Sequence, residues 1–178
     1  MKVALLLVIG YVVSGTAWAE GLFFHKETGI ELPATMAGLS GAVVKNYEFG
    51  GKPAVAVEYS GKETEVTVYI RLFDADKEST ARAIVEMALV AVREMEAKGT
   101  YSDIVMVENP GKSKMPGWAT ASFTGKNKVG PMRSFIFATI KEDYSVKVRY
   151  TTTDPKDDTL NAFMAELQKV VRAGVPKS

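Results

Sequence analysis

The fold is decided by the stretch Ser79-Thr-Ala-Arg-Ala-Ile-Val-Glu-Met-Ala-Leu-Val-Ala-Val-Arg-Glu-Met-Glu-Ala-Lys-Gly99. At 100° per residue its apolar side chains fall on one broad face, and Arg82, Glu86 and Arg93 fall opposite. This pattern predicts an amphipathic helix that lies on a sheet. The predicted apolar face consists of Ala81, Ile84, Val85, Ala88, Ala91, Val92 and Met95.

Both ends of this helix carry capping signals. Asp76, Glu78 and Ser79 offer oxygens and negative charge where the first backbone N–H groups lack partners. Lys98 followed by Gly99 suits the carbonyl end. We therefore expect the helix to span little more than this segment.

Two apolar residues of the helix, Leu89 and Val90, lie toward its polar side. They are either exposed singly, as is common, or contact a second helix of the same chain or a partner. If they contact a partner, the surface around Leu89 and Val90 is a candidate interface for a homo-oligomer.

The first residues resemble a secretory signal peptide. Met1-Lys2 is basic, Val3 to Val13 is almost entirely apolar, and Ala17-Trp18-Ala19 places small residues where a signal peptidase reads them. The apolar run is shorter than the roughly 20 residues that span a bilayer. We therefore predict cleavage after Ala19, a single domain over residues 20–178 and a periplasmic or secreted protein without a stable membrane anchor.

Charge and cysteine content exclude several classes of function. Without Lys2 the chain has 21 Lys and Arg against 21 Asp and Glu, a balance that argues against a nucleic-acid partner. The sequence has no cysteine. Lipid attachment at a cysteine and thiol chemistry are thereby excluded, and stability must come from packing.

The rest of the chain predicts strands in two meanders. Within Thr64 to Phe73, Val66, Val68, Ile70 and Leu72 alternate with polar residues, as in a strand with one buried face. A loop is expected over Asn109 to Gly117, and Asp154-Pro155 is expected to open a last helix. We predict an α+β fold, with a mostly antiparallel sheet of about seven strands and a central and a C-terminal helix packed on it.

This order of elements resembles the Mog1/PsbP-like fold group. Thr28-Gly29-Ile30-Glu31-Leu32-Pro33 is similar to the short proline-terminated strand with which many such domains begin. That group usually has Pro-x-x-Trp or Pro-Gly-Trp directly after the first strand, whereas here Pro116-Gly117-Trp118 comes much later. The resemblance implies an adapter or accessory role and gives no catalytic residues.

Residues able to support catalysis or metal binding are few. His25 is the only histidine, so a zinc site with two or three imidazoles is excluded. Asp74, Asp76 and Glu78 are the strongest carboxylate group, but helix capping is the simpler role. Ser40 lies in Gly-Leu-Ser-Gly-Ala, which lacks the second glycine of a nucleophile elbow. We expect no metal and no cofactor.

A candidate binding surface combines aromatic and cationic side chains at strand positions that alternate with core residues. Such groups can hold a carboxylate or the acidic loop of a partner. They are also what any half-solvated strand shows, either facing solvent or lying under the second helix. The surface comprises Tyr69, Arg71, Arg133, Lys147 and Arg149.

The sequence favours an exported, non-catalytic accessory or binding protein of the bacterial periplasm, with a protein or small molecule as partner. One alternative is a hydrolase or other enzyme of the cell envelope that uses carboxylates, or Ser40 with His25. Another is a structural subunit of an envelope assembly, with Leu89 and Val90 in its interface. The sequence does not identify the ligand or partner.

Overall fold

The computed structural model describes residues 22–49, 52–72, 80–112, 115–141 and 143–174. They form an antiparallel sheet of eight strands, a separate two-stranded ladder and two helices. The elements are β1 (Leu22–His25), β2 (Ile30–Pro33), β3 (Thr35–Met36), β4 (Leu39–Phe49), β5 (Lys52–Ser60), β6 (Thr64–Leu72), α1 (Ala81–Ala97), β7 (Ser102–Lys112), β8 (Trp118–Lys126), β9 (Pro131–Lys141), β10 (Tyr144–Thr152) and α2 (Thr159–Ala173).

The predicted fold class is confirmed. The large sheet has the order β3-β4-β5-β6-β10-β9-β8-β7, so it consists of two meanders that meet at β6 and β10. This central pair is in continuous register from Thr64 opposite Thr152 to Leu72 opposite Tyr144. Helix α1 connects β6, at the centre, to β7, at the far edge.

The two helices cover opposite faces and different halves of the sheet. On the α2 face, α2 packs through residues such as Phe163 and Leu167 against buried side chains of β5, β6 and β10, including Val68 and Tyr150. The opposite α1 face has its own core where α1 contacts β7, β8 and β9. The residues buried there are Val85, Val92, Ile104, Ala119, Ala121, Phe123, Met132, Ile136 and Ala138.

Helix α1 ends as the sequence predicts. Gly99 has φ +71°, a conformation that costs glycine little, and its N–H donates to the Glu96 carbonyl at 2.9 Å. At the other end the Thr80 hydroxyl accepts from the Ala83 N–H at 3.1 Å, so Thr80 is the N-cap. The predicted capping residues Asp76, Glu78 and Ser79 lie outside the described residues.

Helix α2 begins later than Asp154-Pro155, so that prediction is wrong. Asp154 and Pro155 belong to a turn, and the helix starts at Thr159. The reason is the carboxylate of Asp157, which accepts from the Thr159 N–H at 2.9 Å and from the Tyr150 hydroxyl at 2.5 Å. The chain is thus held to β10 before it turns into the helix.

The expected loop from Asn109 to Gly117 is shorter than predicted. Strand β7 continues to Lys112 because Gly111 and Lys112 still pair with β8. Register shifts between Met106 and Glu108 and between Glu108 and Gly111 accommodate the interrupted pattern. Pro110 and Gly111 therefore do not end the strand. Strand β7 lies at the edge of the sheet, where proline is tolerated.

Candidate functional site

Helix α1 covers only half of its face of the sheet, and a cleft opens beside it. The cleft lies between α1 and strands β4, β6 and β10 and has a volume of about 280 Å³. One wall is strand residues and the other is the side of the helix. The strand wall consists of Tyr47, Tyr69, Arg71, Ser145 and Lys147.

Strand register brings the polar wall together. Tyr69 and Arg71 alternate with core residues of β6, so they point away from α2. Lys147 lies directly opposite Tyr69 and Ser145 lies opposite Arg71 on β10. The Lys147 ammonium is 4.0 Å from the centroid of the Tyr69 ring, a cation–π contact.

Small residues on β5 separate the large ones. Ala54 pairs with Tyr47 on one side and Arg71 on the other, and Ala56 pairs with Tyr69. Both alanines are buried. Ala54 places a methyl group between Tyr47 and Arg71, and Ala56 places one beside Tyr69. The sheet surface is therefore lower beside α1, and the cleft has depth.

The helix wall is an apolar stripe. Ile84, Met87, Ala88 and Ala91 follow the i, i+3, i+4, i+7 spacing of one helix face. Val85 and Val92, which are buried against the sheet, lie on the neighbouring stripe. Ile84 and Ala88 also pack against the core on the α1 face, whereas Met87 and Ala91 are exposed. The apolar surface of α1 therefore extends beyond its contact with the sheet and borders the cleft.

Positive charge dominates the strand wall. Burial lowers the pKa of Lys147, and the nearby Arg149 and Arg71 lower it further. Burial also lowers the pKa of Arg71 and raises the pKa of Tyr47. Among the described residues that line the cleft there is no Asp or Glu.

The acidic residue nearest to the cleft in strand register, Glu58, forms an ion pair with Lys45. Glu58 lies two residues beyond Ala56 on β5 and accepts from the Lys45 ammonium at 2.5 Å. This exposed ion pair flanks the cleft and adds little net charge to it.

The structure brings four of the five predicted surface residues onto one face. Tyr69, Arg71 and Lys147 line the cleft. Arg149 is the next residue along the same face of β10 and lies beside it. Its guanidinium donates to the Tyr101 hydroxyl at 3.0 Å and lies 5.3 Å from the centroid of that ring.

Arg133 does not belong to this surface, which corrects the predicted set. Its neighbours Met132 and Ser134 point toward the α1 face, so Arg133 points to the α2 face. There it donates to the carbonyl oxygens of Asp154 at 3.0 Å and Asp157 at 3.5 Å. Arg133 thus holds the turn before α2.

Sequence reasoning missed Tyr47, Ser145 and the helix stripe. The sequence pattern places Tyr47 in a strand and Ile84, Ala88 and Ala91 on the apolar face of α1, and it leaves Met87 out of that face. The only signal for the stripe was that the apolar arc of α1 exceeded what one sheet contact needs. The register that aligns Tyr47, Ala54, Arg71 and Ser145 in one row is tertiary information.

The candidate catalytic groups are not assembled. His25 is buried, its Nδ1 lies 3.0 Å from the Thr28 hydroxyl and its Nε2 lies 3.7 Å from the Glu27 carboxylate. Ser40 is exposed on β4 in the large sheet, whereas His25 is in the separate β1–β2 ladder.

No three His, Asp or Glu side chains converge as metal ligands within the described ranges. The carboxylates of Asp74, Asp76 and Glu78 lie outside those ranges. A second hollow, of about 310 Å³, lies at the end of β8 and β9. Lys126 and Asp103 line this hollow and form an ion pair of 2.8 Å, so the charges of the hollow are largely matched.

The two candidate interface residues of α1 differ. Leu89 is partly buried and packs against the core on the α1 face, so it is not an exposed contact. Val90 is 59 % exposed, and Met87, three residues earlier, is 58 % exposed. In the described part of the chain, neither helix is both long and apolar enough to cross a membrane.

Comparisons with known proteins assign no family. No protein-family model matches the chain. No curated protein matches it significantly. Among solved structures, protein PA94 of Pseudomonas aeruginosa, described as of unknown function and a candidate regulator, is 14 % identical, with a TM-score of 0.32. The match covers 88 % of this chain and 96 % of that one. The likeness is too low to assign a shared fold.

Proposed function

We propose that this chain is an exported, non-catalytic binding protein of the bacterial periplasm, and that its ligand occupies the cleft beside α1. The observation that carries the proposal is the cleft itself. It combines an apolar helix wall with cationic and phenolic groups on the strands. Sites for small molecules commonly have this composition, with a few polar groups that orient the ligand on a mostly apolar surface.

The arrangement of polar groups supports binding rather than catalysis. Strand register places Tyr69, Arg71 and Lys147 next to one another before a ligand arrives, and Lys147 already lies over the Tyr69 ring. Preorganisation of this kind reduces the entropic cost of binding. The candidate acid–base residue, His25, lies in the other sheet and is engaged by Thr28.

A place in the Mog1/PsbP-like group is part of this proposal. Its support is the order of elements and the short strand that ends at Pro33. The accessory roles of that group agree with a binding function. Export is supported by the basic, apolar and small-residue segments before residue 20.

Native mass spectrometry tests the proposed function directly. The protein is expressed from the full chain, recovered gently from the compartment to which it is exported, and weighed without denaturation. We expect processing after Ala19 and a reproducible extra mass that disappears on denaturation. An Ala91→Leu variant, which fills the cleft, should lose that mass, and Ala97→Leu, at the end of the same helix, should keep it. An extra mass that both variants retain would contradict the cleft as the site.

A structural subunit of an envelope assembly is a second candidate, supported by the exposure of Met87 and Val90 on one side of α1. This candidate predicts that Val90→Glu dissociates a complex seen by size-exclusion chromatography with light scattering. Leu89 is unsuitable for that test because its substitution would disturb the core. A monomeric wild-type protein would exclude self-assembly through this surface.

A further inference from the structure

The two walls of the cleft have different chemistry, and together they define a class of ligand. The helix wall offers only methyl, methylene and thioether groups from Ile84, Met87, Ala88 and Ala91. The strand wall offers an ammonium, a guanidinium and two phenols. A ligand that satisfies both walls has an apolar body and an acidic end.

We infer that the cleft binds a small amphiphilic anion, with its acidic head at Lys147 and its apolar body along α1. This inference rests on the proposed function and specifies the ligand. The acidic head is a carboxylate or a phosphate, since both accept hydrogen bonds from ammonium and guanidinium groups.

The position of Lys147 carries the charge argument. Its ammonium is half-buried over the Tyr69 ring, with Arg71 and Arg149 on the same face. Cations brought together in a partly desolvated place repel one another, and an anion among them removes that repulsion. Among the described residues no Asp or Glu forms an ion pair with Lys147, so an incoming anion displaces none of them there.

Cleft size limits the apolar body. The cleft volume of about 280 Å³ lies at the lower end of the roughly 300–1,000 Å³ found for small-molecule sites. This volume suits an acid with a short chain or a single ring and is too small for a two-chain lipid. Octanoate is therefore an appropriate probe.

Isothermal titration calorimetry at fixed pH and salt tests the inference with four probes: sodium octanoate, octyl phosphate, 1-octanol and acetate. Octanoate or octyl phosphate should bind with one-to-one stoichiometry, and the tighter of the two identifies the head group. Octanol lacks the charge and acetate lacks the apolar body, so each should bind at least tenfold more weakly. Equal binding of octanoate and octanol would overturn the inference.

Three variants assign the binding to the cleft. Lys147→Met keeps the side-chain stem and removes the charge, so octanoate affinity should fall at least tenfold while octanol affinity stays the same. Ala91→Leu should weaken octanoate at least fivefold, and the matched control Ala97→Leu should not. Circular dichroism confirms that each variant keeps its fold. Unchanged octanoate affinity in Lys147→Met would overturn the assignment of the head group.

The outcomes separate this inference from the proposed function. If none of the four probes binds but Ala91→Leu removes the natural ligand seen by mass spectrometry, the ligand class is wrong and the cleft still binds. If Ala91→Leu affects neither the probes nor the natural ligand, both proposals fail.

Discussion

Single residues show where burial rather than local sequence decides chemistry. His25 lies in a polar segment, yet it is 6 % exposed and hydrogen-bonds Thr28. Lys147 alternates with core residues as any surface lysine on a strand would, yet it lies half-buried over an aromatic ring. The ring beneath Lys147 belongs to the neighbouring strand β6, whereas the hydrogen-bond partner of His25 is only three residues away in the chain.

His25 should make stability depend on pH near neutrality. Burial lowers the pKa of His25, and the Glu27 charge offsets only part of this effect. Below about pH 6.5 the unfolded chain therefore takes up a proton before the folded protein does, so the free energy of unfolding falls as pH falls. Since the sequence has one histidine, urea unfolding between pH 5 and 7 isolates this effect. The pH dependence in this window should disappear in His25→Gln; its persistence would contradict the assignment.

Asp157 should make the stability of the protein depend on pH in a more acidic range than His25 does. Its burial alone would raise the pKa, but hydrogen bonds from Tyr150, Thr159 and Thr64 outweigh it and lower the pKa to about 2. The carboxylate therefore contributes stability above its ordinary pKa, and this contribution is lost as pH falls from about 4 toward 2. Allowing for solvent screening, we expect about 1 kcal/mol. Urea unfolding of Asp157→Asn should show a correspondingly weaker acid dependence; equal acid dependence in both proteins would refute it.

Elements were predictable where the local pattern was strong. Val66, Val68 and Ile70 identified β6 through their alternation, and the apolar face of the central segment identified α1. The start of α2 was not predictable, because the Asp157 carboxylate that sets it is held by Tyr150 of β10. The sheet face to which Arg133 points could not be predicted, for a different reason. Strand β9 has buried apolar residues on both faces, such as Ile136 and Phe137, so its alternation gives no direction.

The N-cap of α1, Thr80, should contribute measurably to the free energy of unfolding. Thr80→Ala removes the hydroxyl that accepts from the Ala83 N–H, and we expect a loss of about 1 kcal/mol in the free energy of unfolding. Thr80→Ser keeps the acceptor and should lose much less. Urea denaturation followed by circular dichroism measures both variants. Equal losses would show that the Thr80 methyl group, rather than its oxygen, matters.

At the scale of the whole molecule, the described residues form two cores on opposite faces of one continuous sheet. The strands of both meanders could be read from sequence, but their junction at β6 and β10 could not, since pairing of distant strands is not encoded in local alternation. The cleft could not be predicted either, because two of its strands meet at this junction. Four of the five predicted surface residues share its face, but the cleft depends on the alanines of β5 and on where α1 stops covering the sheet.

The continuous β6–β10 ladder predicts a single cooperative transition. Phe163 is fully buried on α2 and packs edge-on against Tyr59 and Tyr150, so Phe163→Ala should cost about 3–5 kcal/mol. Fluorescence of Trp118, on β8, and circular dichroism should report the same unfolding midpoint in wild type and variant. Separate midpoints would show that the two halves unfold independently.

The place of β10 in the strand order has a consequence for synthesis. Strand β10 lies between β6 and β9, so residues 64–72 and 144–152 must meet across a long sequence separation. High contact order of this kind slows folding, because the loop must close before its contacts stabilise it. A growing chain can form hairpins, but it lacks the strand that joins them. The native sheet is completed only when residues 144–152 are free to pair with residues 64–72.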